Sequence, residues 1–521
     1  MAQILKYPVG IQTFSEIIKE GYIYIDKTKL IHELVTEKKY VFLSRPRRFG
    51  KSLLMSTLES YFKGEKELFN DLEISLLEKE WSVYPVFRFD LSQENFINTD
   101  RLIWLISRQL SKIEKSYGLK SDAPTIGLRF SDLIEQAYEK LGKKVVILID
   151  EYDKPMLDCL HEEDLHDKIK AELRGFYSCI KGNDQYIKFA MLTGITKFGK
   201  ASVFSGINNL KDISLLPQYN AICGISETEF HQDFLSSIEK FADENDIAPN
   251  DAWSRFKEMY DGYHFSSKNE DIYNPFSVLN AFQDKELKSY WYGSGSPSYL
   301  IRLIETHTFS LDALEGAQRN ELELSDISNT SSDIVPFLYQ SGYLTIKDYD
   351  PFTEEYTLGF PNKEVYKAFW ESLYKKFFRG YGGRSPLSIR ESVKDLMEGR
   401  PESYMIRMQS LFADIDSTHE RNKEIHFQNM MAIAAKMMGL AVRSEVHSSK
   451  GRCDMQILTP NYIYIFEFKI NESPEKALQQ IHENNYMIPF AADHRTKFLI
   501  GANFLTKTRT IGSWLIEKQP Q

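Results

Sequence analysis

Four short apolar runs, each separated from the next by helix-periodic sequence, constrain the first 220 residues more than any other feature. They cover 40–43, 85–90, 145–149 and 189–192 and are mostly β-branched, aliphatic or aromatic residues without alternation. Strands of that kind are buried on both faces. Segments such as 102–113 carry apolar residues at helical spacing between them. The alternation predicts an α/β fold with a parallel sheet flanked by helices. A chain of 521 residues has room for two to four domains of about 150 residues each.

The run 40–43 leads into Ser44-Arg45-Pro46-Arg47-Arg48-Phe49-Gly50-Lys51-Ser52 and then a helical stretch, 53–62. Gly-Lys-Ser at the start of a helix is the end of a phosphate-binding loop. Gly50 lets the backbone approach a phosphate, Lys51 reaches the β and γ oxygens, and Ser52 offers a hydroxyl to Mg²⁺. The helix N-terminus adds N–H donors, and Arg47, Arg48 and Phe49 complete the expected nucleotide-binding set. Arg45 stands where the first glycine of such a loop is expected. The run 145–149 ends in Asp150-Glu151. Nucleotide hydrolysis needs one carboxylate to hold Mg²⁺ and a second to polarise the attacking water; these roles are expected of Asp150 and Glu151. Thr193, closing the run 189–192, is placed to sense a γ-phosphate.

The C-terminal region carries a second acidic constellation. Residues 451–458 and 462–469 flank Thr459-Pro460-Asn461. In an antiparallel hairpin centred between Pro460 and Asn461, Asp454 faces Glu467, with Cα atoms ~4.5–5.5 Å apart. Two facing carboxylates repel unless a cation lies between them. Lys469 follows Glu467 by two residues and projects from the same face. Asp454, Glu467 and Lys469 therefore form a hard-ligand Mg²⁺ site with a cationic neighbour, suited to activating water against a phosphodiester. In a helix expected over 421–438, Glu424 edges a stripe of Phe427, Met431, Ala434 and Met438, where an acid needs a partner.

Taken together, these stretches resemble the bacterial AAA-ATPase-like family with a C-terminal PD-(D/E)xK nuclease-like domain. The resemblance is carried by Tyr22-Ile23-Tyr24-Ile25-Asp26-Lys27-Thr28, by Arg45-Pro46-Arg47-Arg48-Phe49-Gly50-Lys51-Ser52 and by Leu148-Ile149-Asp150-Glu151-Tyr152-Asp153-Lys154-Pro155. Phe204-Ser205-Gly206-Ile207-Asn208-Asn209-Leu210, Tyr260-Asp261-Gly262-Tyr263 and Tyr273-Asn274-Pro275-Phe276 extend it over nearly the whole chain. It implies that Arg45 is the family's own form of the loop. It further implies that Glu424, with Glu420 as the fallback, supplies a helical acid to the C-terminal metal, and that Gln480 points into the same site.

The expected organisation is an AAA-like P-loop ATPase core over 1–220 and a helical lid over 221–400 ending in a winged-helix-like unit. A restriction-endonuclease-like α/β domain follows over 401–521. Tyr260-Asp261-Gly262-Tyr263 reads as core of the helical region. The expected cofactors are ATP and Mg²⁺, with Mn²⁺ as an alternative at the nuclease site. The expected partner is nucleic acid, DNA in particular, and AAA-like proteins suggest a homo-oligomer. A net charge of −10 repels phosphate overall, so contact with nucleic acid needs a locally basic surface. Residues 420–521, with 13 Lys and Arg against 10 Asp and Glu, are the mildly basic stretch. The acidic balance also supports a rival reading, a nucleotide-dependent switch or adaptor whose C-terminal domain binds nucleic acid or protein without cutting. Four scattered cysteines without a CxxC pair indicate reduced thiols. With no signal-peptide pattern and no apolar run of about 20 residues, the expectation is a cytoplasmic protein that does not enter a membrane.

Overall fold

The computed structural model describes residues 5–519 apart from 161, 198–208, 269, 294–310, 326, 328–332, 378–388, 414–422, 438–440, 449–450 and 509. The chain divides into two compact units, Met1–Gly295 with Ala317–Val365, and Ser296–Gly316 with Tyr366–Gln521. Its architecture is α/β. Among the described residues, no helix is long and apolar enough to cross a membrane.

In the first unit, β1 (Tyr40–Ser44), β2 (Val86–Asp90), β3 (Val145–Asp150), β4 (Ile187–Gly194) and β5 (Lys211–Asp212) form a parallel sheet in the order β2-β3-β4-β1-β5. Every residue of β3 is buried, as is every residue of β4 except Lys188. This is why their sequences run apolar without alternation. The helix Thr99–Tyr117 buries Leu102, Leu105, Ile106, Leu110 and Ile113, a stripe at three- and four-residue spacing. The Asn98 side chain caps its N-terminus by accepting from Arg101 N, and Gly118 ends it at φ +63°. Phe89 on β2 meets Phe130 and Phe176, from the helices Ile126–Leu141 and Glu163–Gly182, each at a ring separation of 5.2 Å, and those two rings stack at 4.7 Å.

Beyond β5 the same unit turns mostly helical, as expected. A short antiparallel pair, β6 (Ile225–Ser226) and β7 (Ile272–Tyr273), anchors the helices Glu227–Asp233, Leu235–Glu244, Pro249–Tyr260 and Pro275–Asp284. Their shared core is aromatic: Phe230, Phe234, Phe241, Phe256, Tyr260, Tyr273 and Phe282. This half also contains an antiparallel ribbon, β8 (Gln318–Asn320), β9 (Thr345–Asp350) and β10 (Glu355–Gly359), in the order β8-β10-β9.

The second unit is built on β11 (Ala441–Ser448), β12 (Gly451–Leu458), β13 (Tyr462–Ile470), β14 (Thr496–Leu505) and β15 (Thr510–Gln519), paired in sequence order. All pairs are antiparallel except β13–β14, and the helix Pro474–Glu483 makes that parallel crossover. The β12–β13 ladder has the register expected of a hairpin centred on Pro460 and Asn461, with Met455 opposite Phe466 and Leu458 opposite Ile463. Gly501 of β14 lies beside Glu467 in the ladder. A Cβ there would stand 2.5 Å from Pro474 O and 2.7 Å from Leu478 N, so only glycine lets the crossover helix lie directly on the sheet. Gly501→Ala should destabilise the protein by ~1–3 kcal/mol, as overpacking against backbone does. Denaturant unfolding followed by far-UV circular dichroism would measure it, and a midpoint unchanged from the parent would refute the contact.

Candidate functional site

The first constellation gathers at the C-terminal ends of β1, β4 and β3, the edge of a parallel sheet where ligands bind. The loop after β1 turns through two left-handed residues, Arg48 (φ +66°) and Gly50 (φ +92°), before the helix Lys51–Phe62 begins. Lys51 is buried, and its Nζ donates to the loop's own carbonyls, Arg45 O at 2.9 Å and Pro46 O at 3.0 Å. Burial lowers the pKa of this ammonium, while Glu151, Asp150 and Asp153 act to raise it. Ser52, half-buried, is the next residue of the helix.

Asp150 ends β3 at 2% exposure and accepts from Thr193 Oγ1 at 2.7 Å and from Glu151 N at 3.1 Å. Thr193, expected as a γ-phosphate sensor, thus spends its hydroxyl proton orienting Asp150. Glu151 adopts a left-handed backbone (φ +50°), a conformation that strains a residue with a side chain. Burial raises its carboxyl; Lys51 counters, and Asp153 and Asp150 add to the rise.

The remaining loop residues separate into anchors and surface. Phe49 is fully buried, edge-on to Tyr263 at 4.7 Å and to Phe265 at 5.3 Å, so its ring holds the loop to the core. Arg47 and Arg48 are exposed. Arg47 accepts at its carbonyl from Trp291 Nε1 (3.0 Å), and the Arg48 guanidinium lies 4.8 Å over the Phe276 ring. Arg45 is 1% exposed and donates to Ser44 O, Ser214 O, Tyr219 O and Asn220 O at 2.8 to 3.4 Å while stacking 4.2 Å over Phe265. In place of a loop glycine, the chain has a cationic clamp between β1 and the segment that follows β5.

Sequence reasoning passed over Asp153. It is 1% exposed, and its Oδ2 accepts from Ile195 N, Thr196 N and Thr196 Oγ1 at 2.6 to 3.0 Å, pinning the exit of β4. Its Oδ1 has no hydrogen-bond partner. The signal was available as a third acid in Asp150-Glu151-Tyr152-Asp153. It passed unread because no register places an acid three residues past a strand end.

The second constellation lies where the β12–β13 ladder ends, inside the C-terminal sheet. Asp454 and Glu467 occupy the position one step beyond the last ladder pair, Met455–Phe466. Asp454 Oδ2 accepts from Phe468 N at 2.7 Å. Glu467 is 2% exposed, and its Oε2 has no hydrogen-bond partner. Burial and the Asp454 charge push its carboxyl up to about 7, against the opposing pull of Lys469. Lys469 Nζ lies 3.2 Å from Glu467 Oε1 and 2.5 Å from Gln480 Oε1. Gln480 in turn lies 3.3 Å from the Tyr486 hydroxyl. Glu467, Lys469 and Gln480 are therefore in mutual contact through the Lys469 ammonium, and the Asp454 charge acts on Glu467. Glu424 is on the helix Lys423–Met437, but its side chain is outside the described residues, as is Glu420 altogether.

The donors present suit a hard divalent cation. Two carboxylates on adjacent strands, one with a buried oxygen that has no hydrogen-bond partner among the described residues, favour a positive charge there.

Comparison with known proteins assigns families to the two regions that contain these residues. Residues 8–204 match a family described as predicted AAA-ATPase, and residues 422–514 match the PD-(D/E)XK nuclease superfamily. A protein of Azotobacter chroococcum mcd 1, described as an uncharacterized protein in the vnfD 5' region, is 34% identical over 528 residues. The match covers 98% of this chain and 99% of that protein.

A carboxyl held above its unfolded pKa stabilises nothing when ionised. Its folded form is favoured while protonated, and stability falls as pH rises from about 4.5 through about 7. Glu467→Gln should therefore raise stability at pH 8 by ~1–3 kcal/mol and flatten the pH dependence between 5 and 8. Thermal melts across that range would measure it; an equal slope in variant and parent would show that Glu467 ionises freely.

Proposed function

Because the chain belongs to the family of predicted AAA-ATPases with a C-terminal PD-(D/E)XK nuclease-superfamily domain, we propose that it is an ATP-hydrolysing protein coupled to a Mg²⁺-dependent nuclease that cleaves DNA phosphodiester bonds. The carrying observation is the buried Glu467 carboxylate, with one oxygen unsatisfied and the other 3.2 Å from a lysine that is itself held by a glutamine. A carboxyl buried there ionises only at a cost, which a bound cation would offset.

At the nucleotide site, Lys51 exchanges its two loop carbonyls for the β and γ phosphate oxygens, and the backbone around Gly50 supplies N–H donors. Ser52 and Asp150 would hold Mg²⁺, with Asp150 kept in orientation by Thr193. Glu151, whose carboxyl burial raises, accepts a proton from the attacking water. The exposed Arg47 and Arg48 add positive charge at the loop.

At the nuclease site, Asp454 and Glu467 would hold Mg²⁺ or Mn²⁺, with Glu424 as a third acid. When bound, such a metal would supply Lewis-acid stabilisation of charge at the scissile phosphate and a more acidic water. Lys469, steered by Gln480, orients the nucleophile and offsets negative charge on the scissile phosphate. Nucleotide binding in the first unit regulates cutting in the second.

Asp454→Ala and Lys469→Ala should each lower Mg²⁺-dependent cleavage of mixed single-stranded, duplex and branched DNA by roughly 10²–10⁴-fold, with ATP affinity unchanged. Lys51→Ala should abolish ATP binding and remove the ATP dependence of cutting. A parent protein that binds ATP yet cuts none of these substrates with Mg²⁺ or Mn²⁺ would instead establish the nucleotide-dependent switch.

A further inference from the structure

Among the described residues, one oxygen-only group of three acids lies outside both constellations. Glu227 opens the helix after β6, Asp261 follows the helix Pro249–Tyr260, and Asp271 immediately precedes β7. The antiparallel pairing of β6 with β7 brings the three segments together. One carboxylate oxygen from each residue lies within 4.8 Å of the other two. Three oxygens so spaced fit round a single ion, since two ligands on opposite sides of Ca²⁺ stand about twice ~2.4 Å apart.

Asp261 points to a ligand independently of the clustering. It is 2% exposed, and neither of its carboxylate oxygens has a partner in hydrogen-bond geometry among the described residues. Its neighbours are better satisfied. The Tyr273 hydroxyl donates to Glu227 Oε2 at 3.1 Å, and His264 Nε2 lies 2.7 Å from Asp271 Oδ1, with its Nδ1 2.8 Å from Ile346 O.

The built-in cation is Lys257. Its Nζ stands 3.0 Å from Glu227, 3.4 Å from Asp271 and 3.7 Å from Asp261. That side chain is 51% exposed on a flexible four-carbon stem, and one ammonium cannot balance three carboxylates. It is closest to Glu227 and farthest from the buried acid that most needs compensation.

We propose that Glu227, Asp261 and Asp271 form a binding site for one hard divalent cation of the Ca²⁺ or Mn²⁺ kind, which displaces the Lys257 ammonium as it binds. All three ligands are carboxylates, which select hard ions over softer ones. The ion ties the start of the Glu227–Asp233 helix, the end of the Pro249–Tyr260 helix and the start of β7 into one point. Asn362 Nδ2, which donates to Asp261 O at 2.8 Å, extends that tie to the segment after β10. The bland alternative is a proton shared between Asp261 and Glu227.

The test uses the full chain, free of nucleotide, with Asp454→Asn and Glu467→Gln introduced to remove the C-terminal acids. Mn²⁺ alone is titrated, and the free ion is counted by electron paramagnetic resonance. One bound equivalent is expected, weakened at least tenfold by Asp261→Asn and tightened several-fold by Lys257→Met. Ca²⁺ should also raise the melting temperature of the Lys257→Met protein more than that of its parent. The proposal is overturned if no Mn²⁺ binds, if Asp261→Asn keeps the bound equivalent, or if Lys257→Met melts lower and Ca²⁺ does not restore it. A shared proton predicts that last pattern, because asparagine can replace a neutral acid while methionine cannot replace the lysine ammonium.

Discussion

Buried carboxylate charge that the protein's own donors do not fully satisfy is the constraint around which both units are arranged. Asp153, Asp261 and Glu467 are each 1–2% exposed, and each has at least one oxygen without a hydrogen-bond partner. Such a group is tolerated only where the surroundings hold it rigidly and a cation or proton is near. Asp153 is held by three donors on its other oxygen. Glu467 is held by the Lys469–Gln480 contact. In both places a glycine on the neighbouring strand makes the approach possible. A Cβ at Gly194 would lie 2.5 Å from Asp153 Oδ1, and one at Gly501 would meet the backbone of the helix that carries Gln480.

The parallel ladder gives the first set of acids its order. With β4 between β1 and β3, Thr193 stands beside the loop strand on one side and reaches Asp150 on the other. β4 thereby links the strand that leads into the lysine-bearing loop, by backbone pairing, to the strand that bears the acids, through the Thr193 hydroxyl. Arg45 belongs to the same framework. Its guanidinium takes four backbone carbonyls and an aromatic face as its direct partners, so the contacts of this buried cation are dipoles and a ring rather than a carboxylate. Lys51 uses the same device in miniature, resting on Arg45 O and Pro46 O.

Local spacing carried most of what sequence reasoning found. A two-residue turn centre at Pro460 and Asn461 determines a hairpin's register, and the ladder Met455–Phe466 to Leu458–Ile463 is the one it implies. Lys469 two residues from Glu467 follows from the period of a strand, and the Gly50-Lys51-Ser52 start of a helix follows from the chemistry of its N-terminus. The partners of Arg45 escaped that reasoning, since Ser214, Tyr219 and Asn220 are some 170 residues away in the chain. So did Asp261. Tyr260 and Tyr263 are core residues as read, yet the acid between them faces Glu227 and Asp271, which no periodicity connects to it.

Residue type and spacing within one segment determined the strands, the phosphate loop, the hairpin register and the pairing of acid with lysine on one face, because those depend on backbone periods of 2 and 3.6 that the chain carries locally. Strand order, the placement of β4 between β1 and β3, the carbonyl cage of Arg45 and the meeting of Glu227, Asp261 and Asp271 were decided only by tertiary structure. Those depend on which distant segments exclude water together, and burial, unlike periodicity, is a property of the assembled fold.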